Sequence, residues 1–300
     1  MTHPIHTVDV FTQKALAGNQ LAVVLDAQDI PEELMQRIAR EMNLSETTFV
    51  LPPDDPAHAA RVRIFTPAEE LPFAGHPTVG TAWVLVANGL VPGGALEFTL
   101  EEAVGPIAVR GVETQDGLLI WMAHPAVSFG GVFEDRAAVS AALGVRESDL
   151  VEGVPLQVAK TGVPFLFVAL KDARAVDASV TNQQRLLDIY RGGEPYAVYL
   201  FAALGHDRLY SRMFAPHVMD IPEDPATGAA AGPLGAFAVK YGLVPRAPKV
   251  AIMNEQGTKM GRQSFIHIEL EYGESEDIPA RIEVGGAVRP VISGTLSDFD

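Results

Sequence analysis

The chain contains no cysteine among its 300 residues. This absence excludes disulfide scaffolds, thiolate zinc sites, Cys–His nucleophiles and isomerases that use a pair of cysteine bases. Acid–base chemistry must therefore come from Glu, Asp, His, Lys or Tyr side chains.

Basic charge is also scarce, since 22 Lys and Arg residues stand against 38 Asp and Glu residues, for a net charge of −16. The basic residues are scattered, which predicts that neither nucleic acid nor an anionic membrane is a partner. The longest apolar runs, such as VPFLFVAL, fall far short of the about 20 residues that a membrane span needs. The N-terminal MTHPIHTVDVF lacks the basic and apolar segments of a secretory signal, so we expect a cytoplasmic protein.

Cofactor and metal motifs are missing as well. The sequence has neither the GxGxxG loop nor the GxxxxGK[ST] loop that cradles phosphates, and it has no HExxH pair. These absences argue against a nucleotide-phosphate loop and against a metal-dependent hydrolase.

One short pattern occurs twice. HPTVGTA begins at His76 and DPATGAA begins at Asp224, 148 residues later, and both copies share the proline, a glycine and an alanine. FTP and FAP precede the two copies, while NGLVP and YGLVP follow them. Amphipathic helices are predicted upstream of the copies from Leu34, Met35, Ile38 and Met42 in the first half, and from Leu186, Leu187 and Tyr190 in the second. The repeat predicts an internal duplication.

The remaining segments indicate the fold class. Short β-branched stretches such as LAVVLD, ARVRIFT, YAVYLFA and SFIHIELE predict strands, and helices are too few for alternating βαβ units. This favours an α+β fold with a mixed, mostly antiparallel sheet around one apolar helix in each of two domains. We expect the domains at residues 1–115 and 116–300, with a cleft between them and a C-terminal strand near 285–300 that crosses back.

The repeated segments themselves are predicted to be buried helices. The first runs from Pro77 to Asn88, with Pro77 at the first helical position and Gly89 at the exit. The second begins with Asp224 as its N-cap and Pro225 at the first position. Pro233 falls inside the second helix and predicts a kink or a break there, with close backbone approach at neighbouring glycines.

Polar residues at these helix starts suggest chemistry. A helix N-terminus offers free N–H groups and partial positive charge, which suit a small carboxylate. His76 and Asp224 would face each other across the cleft, and Glu46 in NLSETTFVL is a third candidate. Each also has a structural interpretation: Asp224 as an N-cap, Glu46 as a polar residue between helix and strand, and His76 as a buried histidine, although histidine is not a preferred N-cap.

These residues carry a resemblance to a known family. GNQLAVVL, NLSETTFVL, RIFTPAEELPFAGHPTVGTA, EDPATGAAAGPLGAF and VGGAVRPVISGTL resemble the PhzF-like family over essentially the whole chain. The resemblance implies the diaminopimelate-epimerase-like fold, with two pseudo-symmetric barrel-like domains, no cofactor and commonly a homodimer. It also implies that Glu46 is the acid–base glutamate and that His76 and Asp224 are the histidine and aspartate of the cleft.

The sequence departs from the family at two expected substrate contacts. Ala229 stands where the family usually has serine, and Gln20 follows Asn19 where the family often has proline. These departures put the phenazine-pathway substrate in doubt, because a pocket without the hydroxyl should favour another ligand. The expected substrate-binding residues are Asn19, Gly75, Gly80, Thr227, Gly228 and Ala229.

The sequence therefore predicts an isomerase that moves a proton between carbons of a small anionic metabolite. Glu46 would remove and return the proton with a pKa raised by apolar neighbours, while helix N–H groups bind the substrate carboxylate. The alternatives are a racemase or epimerase with two opposed bases, a metal-dependent hydrolase, and a small-molecule-binding protein whose site has decayed.

Overall fold

The computed structural model describes residues 2–190, 197–215, 221–273 and 278–297. The chain divides into two compact units. Unit 1 holds residues 1–123 and 285–300, and unit 2 holds residues 124–284. The domain change was expected between residues 115 and 116, and the boundary between the two units follows Ala123.

Unit 1 is built mainly from strands. They are β1 (His3–Val10), β2 (Asn19–Val24), β3 (Glu46–Leu51), β4 (Ala60–Phe65), β5 (Glu70–Leu71), β6 (Glu97–Glu102), β7 (Gly105–Thr114), β8 (Gly117–Ala123) and most of the long β17 (Arg281–Leu296). Its α-helices are α1 (Glu32–Met42) and α2 (Gly75–Ala87), and its 3-10 turns are Ala27–Asp29 and Pro92–Gly94. The predicted amphipathic helix is confirmed as α1.

Eight of these strands form a closed ring within the described part of unit 1. The order of strands around the ring is β1, β2, β3, β4, β6, β7, β8 and β17. Each strand pairs with the next one in this order, and β17 pairs with β1 to close the ring. The β2–β3 and β4–β6 pairs are parallel, and the β1–β17 pair is antiparallel. The unit is therefore a barrel with mixed strand directions.

Helix α2 packs against the strands of this barrel. Ten of its thirteen residues are buried, on every side of the helix, and it contacts β1, β2, β3, β7 and β8. This burial on all sides explains why the segment is apolar nearly throughout. Gly80 makes one of these contacts close, because a Cβ there would lie 2.6 Å from Leu21 Cδ2 and 2.8 Å from Val10 Cγ2.

Unit 2 is also built from many strands and a few helices. Its strands are β9 (Ser128–Val132), β10 (Gln157–Lys160), β11 (Pro164–Ala169), β12 (Ala197–Ala203), β13 (Arg208–Ala215), β14 (Ile221–Asp224), β15 (Lys249–Gln256) and β16 (Ser264–Glu271). Its helices are α3 (Arg136–Leu143), α4 (Ala173–Ala178), α5 (Gln183–Tyr190) and α6 (Gly228–Lys240), with 3-10 turns at Glu147–Asp149 and Thr258–Met260. The helix predicted from Leu186, Leu187 and Tyr190 is confirmed as α5, while its equivalence to α1 stays a prediction.

The sheet of unit 2 joins β9, β10, β11, β12, β13, β15 and β16 in that order, and β14 adds to β13. Helix α6 packs against β10, β11 and β16. The expected close approach at its glycines is confirmed, because a Cβ on Gly232 would lie 2.8 Å from His124 Nδ1, and one on Gly235 would lie 2.9 Å from Ile268 Cγ2. Each unit therefore has one apolar helix of thirteen residues against its sheet.

The starts of both buried helices differ from the predictions. Helix α2 begins at Gly75, so Pro77 is its third residue and lies within the first turn. Helix α6 begins at Gly228 after the N-cap Thr227, and Asp224 is the last residue of β14. The prediction of Asp224 as N-cap is wrong, because pairing with Met213 on β13 keeps Asp224 extended. The predicted break at Pro233 is also wrong, since α6 continues through it.

The structure and the fold relatives reported below show a mixed α+β fold with a closed barrel and few helices. The internal duplication stays a prediction: α2 and α6 begin 153 residues apart, whereas the repeated motifs are 148 residues apart.

Candidate active site

Three predicted polar residues lie together in unit 1. Glu46 is the first residue of β3, Asn19 is the first residue of β2, and His76 is the second residue of α2. Their exposed fractions are 3%, 1% and 4%, which is unusual for groups that water would otherwise solvate. Buried polar groups must satisfy one another or a ligand, so this corner is a candidate site.

The strand geometry explains why Glu46 reaches His76. Alternate residues of a strand share a face, so Glu46 and Thr48 point the same way from β3. Thr48 Oγ1 lies 2.8 Å from Thr81 Oγ1 on α2, which fixes this face of β3 against the helix. Glu46 then lies beside the first turn of α2, with its Oε2 atom 3.2 Å from His76 Nε2.

The imidazole of His76 is held on both sides. Asn19 Nδ2 lies 3.2 Å from Nδ1, opposite the contact between Nε2 and Glu46. Asn19 was predicted as a substrate-binding residue, and here its amide contacts the ring instead. An amide N–H that donates to Nδ1 would leave the ring proton on Nε2.

Electrostatics make this ring neutral. Burial lowers the pKa of His76 to about 3, although a backbone hydrogen bond with Gln20 acts in the other direction. At neutral pH the contact with Glu46 is therefore not an ion pair between a cation and an anion. The contact is one of close proximity, since Glu46 Oε2 and His76 Nε2 do not have the geometry of a hydrogen bond to each other.

A second buried carboxyl supports the same turn of α2. Thr78 Oγ1 lies 2.8 Å from the Ala74 carbonyl oxygen and 2.5 Å from Glu102 Oε1. Burial raises the pKa of Glu102 to about 8, against the opposite effect of its bond with Thr78. Because a hydroxyl has one proton to donate, a protonated Glu102 would donate to Thr78, which in turn donates to Ala74.

The predicted glycine contacts divide into two kinds. Gly75 is the first residue of α2, where the backbone N–H has no partner inside the helix. Gly80 lies beyond that first turn, and its missing side chain makes room for Leu21 and Val10. Its assignment as a substrate-binding residue stays a prediction, and the helix geometry disfavours a contact through its own N–H, because N–H groups this far into a helix bond to the preceding turn.

Unit 2 contains the second group of predicted residues, at the start of α6. Thr227 Oγ1 donates to Asp224 Oδ2 over 2.5 Å, and both side chains are buried. Gly228 and Ala229 are the first two residues of α6, so their N–H groups are also free of partners inside the helix. Gly228 is buried, whereas Ala229 is half-buried.

Sequence reasoning missed the residues that hold this second group. Gln256 and Tyr199 are fully buried and hydrogen-bonded to each other, and Gln256 also contacts Asp224 and Thr227. A signal was present in KVAIMNEQ, where strand alternation places Asn254 and Gln256 on the same face as apolar residues. Glu102 was missed in the same way, since FTLEE places it on the face of the buried Leu100.

Two other histidines have hydrogen-bonding partners of their own. His3 Nδ1 lies 2.9 Å from the Asp26 carbonyl oxygen, and His58 Nδ1 lies 2.8 Å from Glu101 Oε1. His124 is buried, and burial lowers its pKa to about 3. His217 lies outside the described residues.

Two general properties complete the description. Within residues 2–190, 197–215, 221–273 and 278–297, no His, Asp and Glu side chains form a group of three that could hold a metal ion. Over the same ranges, every helix is too short or too polar to cross a membrane.

Comparison with known proteins concerns the chain as a whole. The sequence model of the phenazine biosynthesis-like protein family matches residues 8–294. The trans-2,3-dihydro-3-hydroxyanthranilate isomerase of Pseudomonas aeruginosa is 38% identical over 287 residues, which cover 95% of each chain. A crystal structure of a PhzF-family phenazine biosynthesis protein from Bacillus anthracis superposes with a TM-score of 0.89 at 24% identity, covering 99% of this chain and 100% of that one.

A more distant likeness concerns the fold alone. The hydroxyproline epimerase of Agrobacterium vitis has a TM-score of 0.64 at 12% identity, with 98% of this chain and 92% of that one covered. The family match spans nearly the whole chain, and the Pseudomonas relative is a named isomerase over the same length. The chain therefore belongs to the PhzF family of phenazine biosynthesis-like proteins, and it is an isomerase.

Proposed function

We propose that the protein moves a proton from one carbon to another in a small carboxylate-bearing metabolite, without a cofactor, and that Glu46 carries the proton. The observation that supports this most is the buried contact of 3.2 Å between Glu46 Oε2 and His76 Nε2. A carboxyl enclosed in this way is shielded from bulk water, which suits a group that must keep a proton between two transfers.

The reaction would proceed in two balanced steps. In the first, Glu46 takes a proton from a carbon next to an activating group, the C–H electron pair becomes part of a new double bond, and the existing double bond shifts. In the second, the O–H bond of Glu46 breaks and the same proton forms a C–H bond at another carbon. His76 remains neutral throughout, because its pKa is about 3, so it orients the carboxyl without neutralising it.

The remaining residues would bind the substrate. The N–H groups of the first helical turns, at Gly75 and at Gly228 and Ala229, would suit a carboxylate, and the Asp224–Thr227 pair would suit hydroxyl or amino groups. Ala229 lacks the hydroxyl that the family usually has, so we expect a substrate that does not need this contact. The expected homodimer is part of this proposal, and light scattering of the purified protein tests it.

The first experiment uses trans-2,3-dihydro-3-hydroxyanthranilate, the substrate named for the Pseudomonas relative. Glu46→Gln should lower kcat by about 10²–10⁴-fold, because general acid–base catalysis typically contributes that much. Glu97→Gln, which changes an exposed glutamate on β6, is the matched control and should leave kcat unchanged. A Glu46→Gln enzyme as fast as the wild type would disprove the assignment.

Isotope labelling separates this mechanism from a racemase with two opposed bases. In deuterated water, a single base that returns the proton it took leaves hydrogen at the new carbon. Two bases exchange with solvent separately, and the product then carries deuterium. Chelator-treated and dialysed enzyme should keep its activity, and loss of activity restored by a metal would overturn the cofactor-free proposal.

A further inference from the structure

Gln256 occupies an unusual position beneath Asp224. It is the last residue of β15, its side chain is fully buried, and it pairs with Ser211 on the neighbouring β13. A buried amide is costly unless all of its hydrogen-bonding capacity is used. The hydrogen-bond partners of Gln256 therefore indicate its role.

The four hydrogen bonds of this amide are to Asp224, to Thr227 and to Tyr199. The Nε2 group donates to the Asp224 carbonyl oxygen over 2.8 Å and to Thr227 Oγ1 over 2.9 Å. The Oε1 atom accepts from the Thr227 N–H over 3.1 Å and from the Tyr199 hydroxyl over 2.6 Å. Rotating the amide by 180° would oppose donor to donor and acceptor to acceptor, so only one orientation fits.

The fixed orientation of the Gln256 amide also determines how Thr227 bonds to the Asp224 carboxylate. Because Thr227 Oγ1 accepts a hydrogen bond from Gln256, its only proton is left for Asp224 Oδ2, 2.5 Å away. The chain of donors runs from Gln256 through Thr227 to Asp224. It fixes Oδ2 as an acceptor and defines which oxygen of Asp224 remains for other partners.

Tyr199 secures the other end of the amide. Its hydroxyl receives a hydrogen bond from Asn254 Nδ2 over 2.9 Å and lies 3.0 Å from Ser211 Oγ. Burial raises the pKa of the Tyr199 phenol above its usual value, so the hydroxyl stays protonated and continues to donate to Gln256. The orientation of the amide is thus independent of pH over the working range.

The backbone next to Gln256 provides a separate observation. Gly257 has a φ of +78°, and a Cβ there would lie 2.5 Å from the Pro225 carbonyl oxygen. The segment that follows Gln256 is therefore in direct contact with the segment that follows Asp224. Side-chain bonds and backbone packing both join the end of β15 to the start of α6.

We propose that Gln256 is a positioning residue for Asp224, which it orients through the hydroxyl of Thr227. The proposal rests on the proposed role of Asp224 in binding the substrate. It predicts that loss of the amide alters the chemistry of Asp224, beyond any loss of stability.

Three variants test the proposal. Gln256→Met keeps the length of the side chain and removes all four bonds. Gln256→Glu keeps one donor while it is protonated and loses that donor when it ionises. Asn254→Leu is the control. Asn254 is also buried and lies on the same face of β15, but its amide donates to the Tyr199 hydroxyl rather than to Asp224 or Thr227.

Two measurements apply to each variant. The first is the titration of the Asp224 carboxyl carbon by nuclear magnetic resonance, with the signal assigned by its absence in Asp224→Asn. Gln256→Met should raise the midpoint by about one pH unit, because the ionised carboxylate loses an oriented donor. Asn254→Leu should leave this midpoint unchanged.

The second measurement is kcat and KM with trans-2,3-dihydro-3-hydroxyanthranilate as the probe substrate. Gln256→Met should lower kcat by about 10–100-fold, the usual cost of losing a group that supports a functional side chain. In Gln256→Glu, kcat should be partly restored at low pH and should fall as pH rises and the new carboxyl ionises.

The outcomes separate the two proposals. If Gln256→Met and Asn254→Leu lower the urea midpoint equally and neither changes the titration of Asp224, Gln256 is merely structural and the inference is wrong. If the titration shifts as expected but the wild-type protein does not convert the probe substrate, the positioning role stands and the proposed function for this substrate fails.

Discussion

The starts of α2 and α6 carry related sequences that the structure uses differently. In α2 the helix begins before the motif, so His76 and Pro77 lie in its first turn. In α6 the DPAT residues form an extended approach, and the helix begins only at Gly228. The comparison teaches that an aligned motif predicts which residue types are present, but not where the helix begins.

The difference has a local physical cause. Proline is accepted in the first turn of a helix, where its missing N–H would have no partner, and this is the place of Pro77. At Asp224 the backbone is held extended by its pairing with Met213 and by the hydrogen bond from Gln256. The residue before a proline also disfavours the helical conformation, so Asp224 stays in the strand.

The largest expected effect in this comparison comes from Gly257→Ala, beside the start of α6. The new Cβ would lie 2.4 Å from the Arg262 carbonyl oxygen and 2.5 Å from that of Pro225, at a φ of +78°. Backbone atoms cannot rotate aside, so we expect the free energy of unfolding to fall by about 2–4 kcal/mol. Urea denaturation monitored by circular dichroism measures this loss in the free energy of unfolding.

Gly80→Ala is the matched change in α2. Its Cβ would meet the ends of the Leu21 and Val10 side chains, which can move, and alanine contributes about 1 kcal/mol of helix propensity. We therefore expect a loss below about 2 kcal/mol in the same measurement. A larger loss for Gly80→Ala than for Gly257→Ala would contradict this view of the two helix starts.

The next effect concerns two threonines that each contact a buried carboxyl. Thr227→Val should lower kcat by about 10-fold or more, because Asp224 loses its donor. Thr78→Val should instead lower the free energy of unfolding by about 1–3 kcal/mol, since Glu102 and the Ala74 carbonyl lose a shared partner. Steady-state kinetics and urea unfolding of both variants show whether the Thr78–Glu102 contact is structural and the Thr227–Asp224 contact functional.

A further expected effect is a pH dependence of stability. The folded pKa of Glu102 is about 8, above its ordinary value of 4.5, so the folded state binds more protons and stability falls as pH rises towards 8. The folded pKa values of His76 and His124 are about 3, below 6.5, so stability is lost as pH falls from about 6.5 to about 3. Glu102→Gln should remove the decline on the alkaline side in urea unfolding at several pH values.

Sequence reasoning reached part of the site for a clear reason. Glu46, His76 and Asp224 lie in specific motifs, and a histidine at a helix start stands out against the usual capping residues. Amphipathic periodicity predicted α1 correctly, because its apolar residues follow the helical repeat. These signals are local in the chain.

The residues that were missed depend on contacts distant in sequence. Gln256 meets Thr227 across 29 residues and Tyr199 across 57, and no local pattern encodes such a partner. The start of α6 was misplaced for the same reason, since strand pairing decides the conformation of Asp224. Gly80 was assigned to substrate binding because its packing against β1 and β2 is invisible in a linear reading.

Strand β17 has a consequence for the order in which the protein is made. The barrel of unit 1 closes only when residues near the C-terminus insert between β1 and β8. Until the last part of β17 has left the ribosome, β1 and β8 present open edges that can pair with other chains. Residues 1–123 must therefore wait, with two unpaired strand edges, until residues 285–296 have been synthesised.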